Sequence, residues 1–325
     1  MTGARLLAAV CAVLIAWVLP ALAGTTRVVV ISDMNGSYGS VSYNPRVARA
    51  VQAIIGLAPA LVISTGDMVA GQRRPTLSDV EVRAMWASFH ATVSDPLARA
   101  GIPLAVTPGN HDASAYGGFE HERAVFAKTW RARRPDLAFI EGGDYPFFYA
   151  FDLAGIRFAS LDATTVGHLA EEQMTQLRTA MAGSGSARIV FSHLPLWPFA
   201  IGRETEIIGD PALESLFVEL DIDLHLSGHH HAFYPGAVAG IGFIAQACLG
   251  GGPRALIGTH EKSAPAITLL DISDDGRIVV SALTGPDFDE SVGNHALPPS
   301  IKSPERMIER LDRADIPDIE WRPGQ

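Results

Sequence analysis

Five times along this chain a short apolar run ends in a small cluster of Asp, Asn or His. The run 27–32 leads into Ser32-Asp33-Met34-Asn35, 60–65 into Gly66-Asp67, and 102–107 into Gly109-Asn110-His111-Asp112. The run 188–192 ends in Ser192-His193, and 223–226 is followed by Gly228-His229-His230-His231. Runs without polar alternation are expected of strands buried on both faces, as in parallel sheets covered by helices. Open α/β sheets gather their ligands at strand ends. Packing alone would not put Asp, Asn or His at five successive strand ends.

Between the runs lie helix signals. Asn44-Pro45 opens a helix to about Leu57, and Ser78 with Glu81 forms a capping box for a second, to about Val93. A third helix is expected over 119–134, and others over 171–181 and 210–220. The segments 147–152 and 156–161 read as a hairpin about Leu153-Ala154-Gly155, and antiparallel strands are expected near 237–248, 266–272 and 277–284. Parallel units followed by hairpins imply an α/β chain of mixed sheets layered with helices. After Leu297-Pro298-Pro299, a tail over 297–325 is expected to carry a short helix opened by Ser303-Pro304, with Met307, Ile308 and Leu311 on one face.

The first 23 residues read as a secretory signal peptide: a basic start, an uncharged apolar run from Leu6 to Leu19, and Ala21-Leu22-Ala23 before Gly24. That run is short for a bilayer span, and no later segment approaches one. The mature chain, with its domain over 24–296, is expected to be exported, to the periplasm or the exterior, without a membrane span after cleavage. Cys11 would leave with the leader. Cys248, which reads as a buried strand thiol, would remain alone and exclude an internal disulfide. A formal net charge of −10 gives no nucleic-acid footprint. Such a chain needs something other than Lys and Arg to hold a phosphate.

Carboxylate, amide and imidazole together suit borderline and hard ions such as Mn, Fe and Zn. Two such ions sharing a bridging carboxylate clamp a phosphoryl group and activate water, and they reverse the local field of an acidic protein.

In order, these clusters resemble the motifs of the calcineurin-like metallophosphoesterases: Asp-X-His, Gly-Asp, Gly-Asn-His-Asp/Glu, His and Gly-His-X-His. The resemblance runs from about Val28 to Ile272. It implies a four-layer αββα sandwich of two mixed β-sheets flanked by helices, and two divalent or trivalent metal ions. By resemblance Asp67 bridges the ions; Asn110, His193 and His229 complete one site; Asp33 and His231 hold the other. His111 would act on the leaving-group oxygen, with Asp112 orienting its ring. His230 is the spacer, since side chains two apart share a face.

The first motif departs from the family, with Asn35 where a histidine is expected, so a weaker or differently selective first metal site is anticipated. Purple acid phosphatases also lack that histidine but place a Tyr three residues after the Gly-Asp aspartate; here Ala70 stands there. Tyr38 and Tyr43, in the following loop, are candidate replacements. Arg203 is a candidate contact for a substrate phosphate, and Gly250-Gly251-Gly252 a candidate border of the cleft. The remaining histidines read as structural or surface. The expected function is hydrolysis of a small phosphorylated substrate, a monoester or a diester, by in-line attack of a metal-bound hydroxide. The alternative is a degenerate member that binds a phosphorylated ligand or partner without turnover.

Overall fold

The computed structural model describes residues 24–183 and 185–324, so the expected signal peptide lies outside the described residues. The first apolar run forms β1, Thr25–Ile31. Helix α1, Pro45–Leu57, begins where Asn44 Oδ1 accepts the Arg46 N–H and proline occupies the first turn. After β2, Leu61–Ser64, the Ser78/Glu81 capping box starts α2, Asp79–Phe89. That helix does not end near Val93. A π-helical turn, His90–Ser94, carries it into α3, Asp95–Arg99. Pro96 has no N–H and its ring crowds the preceding turn, which the wider π turn accommodates.

Strand β3, Leu104–Val106, is followed by the short α4, Asn110–Ala113, and by α5, Glu120–Arg131. Next come β4, Ala138–Phe139, and the expected hairpin, β5, Tyr149–Leu153, with β6, Ile156–Ser160. Helix α6, Glu171–Ala180, strand β7, Ala187–Ser192, helix α7, Pro211–Glu219, and strand β8, Leu224–Ser227, then alternate. Two hairpins follow: β9, Tyr234–Val238, with β10, Ile241–Ala245, then β11, Ile267–Ser273, with β12, Ile278–Thr284. The chain ends with β13, Glu290–Ser291, β14, Ser300–Lys302, β15, Met307–Arg310, and β16, Ile319–Trp321.

These strands make two mixed sheets flanked by helices. One runs β13-β12-β11-β1-β2-β3 with β16 beside β12, and the other runs β14-β15-β9-β10-β8-β7-β6-β5-β4. Strands β1, β2 and β3 are parallel, as are β6, β7, β8 and β10. Val28, Val29 and Val30 are fully buried, which is why β1 carries no polar alternation. The sheets are stitched face to face. The Tyr149 hydroxyl of β5 donates to the Val106 carbonyl (2.7 Å) and accepts the Val106 N–H (3.0 Å), satisfying backbone on the edge strand β3. Among the described residues no helix is long and apolar enough to cross a membrane.

The tail corrects the sequence reading. Ser303-Pro304 opens no α-helix, and the helical piece beyond it is a single 3-10 turn, Leu311–Arg313; β14 and β15 pair antiparallel, and β15 pairs with β9, extending the second sheet, while β16 joins the first. Met307, Ile308 and Leu311 satisfy a helical spacing, but Ile308 and Arg310 also alternate inward, and the free edge of β9 takes them as a strand. The tail thus joins both sheets as strands β14, β15 and β16. Cys248 is fully buried, as expected, but lies just past β10 and not within it.

Candidate metal centre

Each of the five clusters sits just past a parallel strand: β1, β2 and β3 in one sheet, β7 and β8 in the other. The two sets of strand ends meet. Gly250 N–H donates to the Asp33 carbonyl (2.7 Å), and His229 N–H donates to Asp33 Oδ2 (3.0 Å). The approach is close enough to require glycine. A Cβ on Gly66, at φ +95°, would lie 2.8 Å from Gly109 N and from His193 Nδ1; one on Gly228 would lie 2.2 Å from Ser32 Oγ. Asp33, Asp67, His229 and His231 all have positive φ, at +50°, +53°, +63° and +52°. Left-handed non-glycine residues carry strain and concentrate at functional sites, and here four of them stand together.

The rings are set by their outward nitrogens. His193 Nδ1 donates to the Thr65 carbonyl (2.8 Å), which leaves Nε2 facing inward, 2.9 Å from Asn110 Oδ1 and 3.4 Å from Asp67 Oδ1. His231 Nδ1 donates to the Gly252 carbonyl (3.1 Å) and presents Nε2 3.1 Å from Asp33 Oδ1. His229 is reversed: its Nε2 donates to Glu206 Oε2 (2.9 Å), and Nδ1 faces His193 Nε2 at 3.1 Å. Asn110 is fixed by Gln72, whose Oε1 accepts the Asn110 Nδ2–H at 2.7 Å, so the amide oxygen is the atom turned inward. Ligand atoms of Asp67, His193 and His229 lie within 4.8 Å of one another, the one such trio among the described residues. The Asp33–His231 pair stands beside it.

The electrostatics suit a cation. Asp33 Oδ1 is buried, and its close polar contact is the ion pair with His231 Nε2, while Oδ2 accepts from Ser32 Oγ and His229 N. Burial raises the Asp33 and Asp67 pKa values, but the charges and hydrogen bonds of His231, His193 and His111 outweigh it and hold both carboxylates low. Burial opposes charge on His193, yet Asp67 and Asp33 raise it to about 9. Burial also opposes charge on His231, yet Asp33 and the nearby Cys248 thiol hold it well above the usual range. Burial pushes His229 down to about 4, so its ring is neutral. The hydrogen bond from His229, then Arg203, brings Glu206 down to about 2. The buried Asp33 carboxylate, the converging trio and the oxygen-and-imidazole donor set fit two borderline or hard metal ions.

Asp112 does not orient the His111 ring, as the sequence reading expected. Its Oδ1 accepts from Met68 N and Val69 N (both 2.8 Å) and its Oδ2 from Gly109 N (3.0 Å), so it ties together the turns that follow β2 and β3. Burial, then the Asp67 charge, pushes its pKa up to about 8. The ring is set instead by the Gly71 carbonyl, which accepts from His111 Nδ1 at 3.0 Å, leaving Nε2 3.9 Å from Asp67 Oδ2. Glu122 supports that loop by accepting the Gln72 N–H at 2.8 Å. Glu206, Gln72, Gly71 and Glu122 carry no motif and went unnoticed in the sequence.

Asn35 lines the cleft with Asp67, His111, His229 and His231, in a cavity of about 580 Å³ that Gly250, Gly251 and Gly252 also border. Tyr43 also borders this cavity, but its hydroxyl is taken, donating to the Met68 carbonyl at 2.8 Å. The Tyr38 ring packs on His111 with centroids 5.1 Å apart. Arg203 reaches the cleft wall and is paired with Glu206. Arg254 stands near it, its pKa lowered by burial and then by the Arg203 charge. His230 is the buried spacer, its Nδ1 accepting from Phe199 N (3.1 Å) and its Nε2 donating to the Glu206 carbonyl (3.1 Å).

The family model described as calcineurin-like phosphoesterase matches residues 26–233. No curated protein sequence matches significantly. Among solved structures, a purple acid phosphatase from yellow lupin (Lupinus luteus) seeds superposes with a TM-score of 0.63 at 18% identity, over 82% of this chain and 52% of that one. The chain therefore spans about half the length of the lupin enzyme. GAP50, the anchor in the inner membrane complex of Plasmodium, gives 0.54 at 13% identity over 91% of both chains. A dimetal phosphatase from Danio rerio gives 0.50 at 15% identity, over 80% of this chain and 98% of that one. At these identities the likeness is one of fold.

Proposed function

This chain belongs to the calcineurin-like phosphoesterase family, and from that premise and the geometry above we propose that it is an exported, dinuclear metal-dependent hydrolase of phosphomonoesters or phosphodiesters. The observation that carries the reading is the convergence of Asp67, His193 and His229 beside the buried Asp33–His231 pair. Asp67 would be shared by both ions. Asn110, His193 and His229 would complete one site, and Asp33, Asn35 and His231 the other. When bound, the ions would supply positive charge to the phosphoryl oxygens and lower the pKa of water.

The protein supplies the rest. The Gln72 side chain keeps the Asn110 oxygen inward, and Glu206 keeps His229 Nδ1 turned to the centre. His111, steadied by the Gly71 carbonyl, offers Nε2 to the leaving-group oxygen as a proton donor. Arg203 and Arg254 add cationic charge at the rim in an otherwise acidic chain. With Asn35 where the family carries a histidine, and an amide oxygen binding more weakly than imidazole, the ion beside Asp33 and His231 would be held less tightly. The leader-like segment 1–23 supports export to the periplasm or exterior.

The test pairs p-nitrophenyl phosphate with bis-p-nitrophenyl phosphate, using metal-reconstituted protein that begins at Gly24. Hydrolysis of at least one ester is expected, lost on chelation and regained on adding Mn, Fe or Zn. Metal uptake without hydrolysis of either would replace this reading with that of a ligand-binding member.

A further inference from the structure

Resting on the hydrolase reading, a second feature of the cleft defines the group that leaves. Beside His111 the metal cleft opens into a cavity of about 300 Å³, walled by Tyr38, Tyr116, Val166, Leu194 and Arg203. That volume lies at the small end of ligand pockets. Tyr38, Tyr116 and Val166 are 56%, 45% and 48% exposed, whereas Tyr145, Tyr149 and Tyr234 are buried. Tyr38 and Tyr116 thus line the same cavity as His111, among polar side chains that include Asn110 and Arg203.

Nor are these rings free to fold inward. The Tyr116 hydroxyl accepts the Val166 N–H at 3.1 Å, and Tyr116 N donates to Ser114 Oγ at 3.2 Å. Tyr38 lies against the His111 ring, and its loop is tied down by Gly39 N–H donating to the Ala70 carbonyl at 2.7 Å. The aromatic faces are thus held open on the side of the one residue placed to protonate a leaving oxygen. Rigid tyrosines with few rotatable bonds lose little entropy on contact.

We propose that Tyr38 and Tyr116 form a leaving-group subsite for a planar aromatic or heteroaromatic ring, such as a nucleobase. With the phosphoryl group beside Asp67 and His111, a water oxygen would bond to phosphorus as the bond from phosphorus to the leaving oxygen breaks, and His111 would deliver the proton to that oxygen. The departing ring then rests between the two tyrosines.

The test compares adenosine 5′-monophosphate with ribose 5-phosphate on metal-loaded protein. Both release a primary ribose hydroxyl, so leaving-group basicity is matched and only the base differs. Ring stacking is expected to favour the nucleotide about ten-fold or more in kcat/KM, mainly through KM. The ratio should fall toward unity in Tyr116→Ala and Tyr38→Ala and be retained in Tyr116→Phe. Adenosine alone, titrated by NMR, should bind wild type and not Tyr116→Ala. Equal kcat/KM values for the two esters in wild type, or no adenosine binding, would overturn the subsite and leave the hydrolase reading intact. Adenosine binding without hydrolysis of either ester would support the subsite while removing the hydrolase reading.

Discussion

Asp67→Asn is expected to lower phosphoester hydrolysis by about three orders of magnitude or more while the protein stays folded. The Asp67 carboxylate is buried, its Oδ1 3.4 Å from His193 Nε2 and its Oδ2 3.9 Å from His111 Nε2, and Oδ1 accepts the His111 N–H at 2.9 Å. Asparagine keeps the volume and can still accept that backbone hydrogen bond. It cannot carry the charge that two cations would share. Losing several kcal/mol of transition-state stabilisation, at about 1.4 kcal/mol per decade, gives a loss of this size. Folding should survive because His193, raised to about 9 chiefly against burial by Asp67, simply becomes neutral when that charge is removed. The checks are kcat, metal content by mass spectrometry, and the thermal melt. A variant that melts as wild type and turns over at a comparable rate would remove Asp67 from the chemistry.

His111→Ala is expected to cost about 10²–10⁴-fold in kcat on an alkyl phosphate, with both ions still bound. His111 reaches the cleft but is not needed to assemble the converging trio of Asp67, His193 and His229. A proton donor matters most when the leaving oxygen is basic. The loss should therefore be much smaller on p-nitrophenyl phosphate, whose leaving group departs readily as an anion. Equal losses on the two substrates would assign the ring to charge stabilisation instead of proton donation.

The core of the fold was readable because fully buried parallel strands show as unbroken apolar runs, and their ends are where polar side chains first find space. Asn44, Ser78 and Asp210 marked helix starts for a local reason: their side chains accept from N–H groups two or three residues ahead. The tail was misread because 307–311 fits both periods, and the choice was made by a distant partner, the free edge of β9. The same division holds at the site. The candidate ligands stand in ordered motifs, but their supports do not. Gly71 acts through a carbonyl, which has no side-chain signature. Glu206 and Gln72 arrive on loops, and Glu122 on the first turn of α5, each placed by contacts far along the chain. Asp112 was given the wrong partner because the one-turn helix α4 brings its carboxylate back to Gly109 N, away from the His111 ring.

The central claim is that two ions share Asp67. Anomalous diffraction from crystals soaked in increasing Mn tests it most directly. The account predicts two peaks about 3.5–4 Å apart, one on either side of the Asp67 carboxylate. The peak among Asn110, His193 and His229 should fill first, and the one beside Asp33, Asn35 and His231 only at higher metal. A single peak at saturating metal, or none at Asp67, would contradict it.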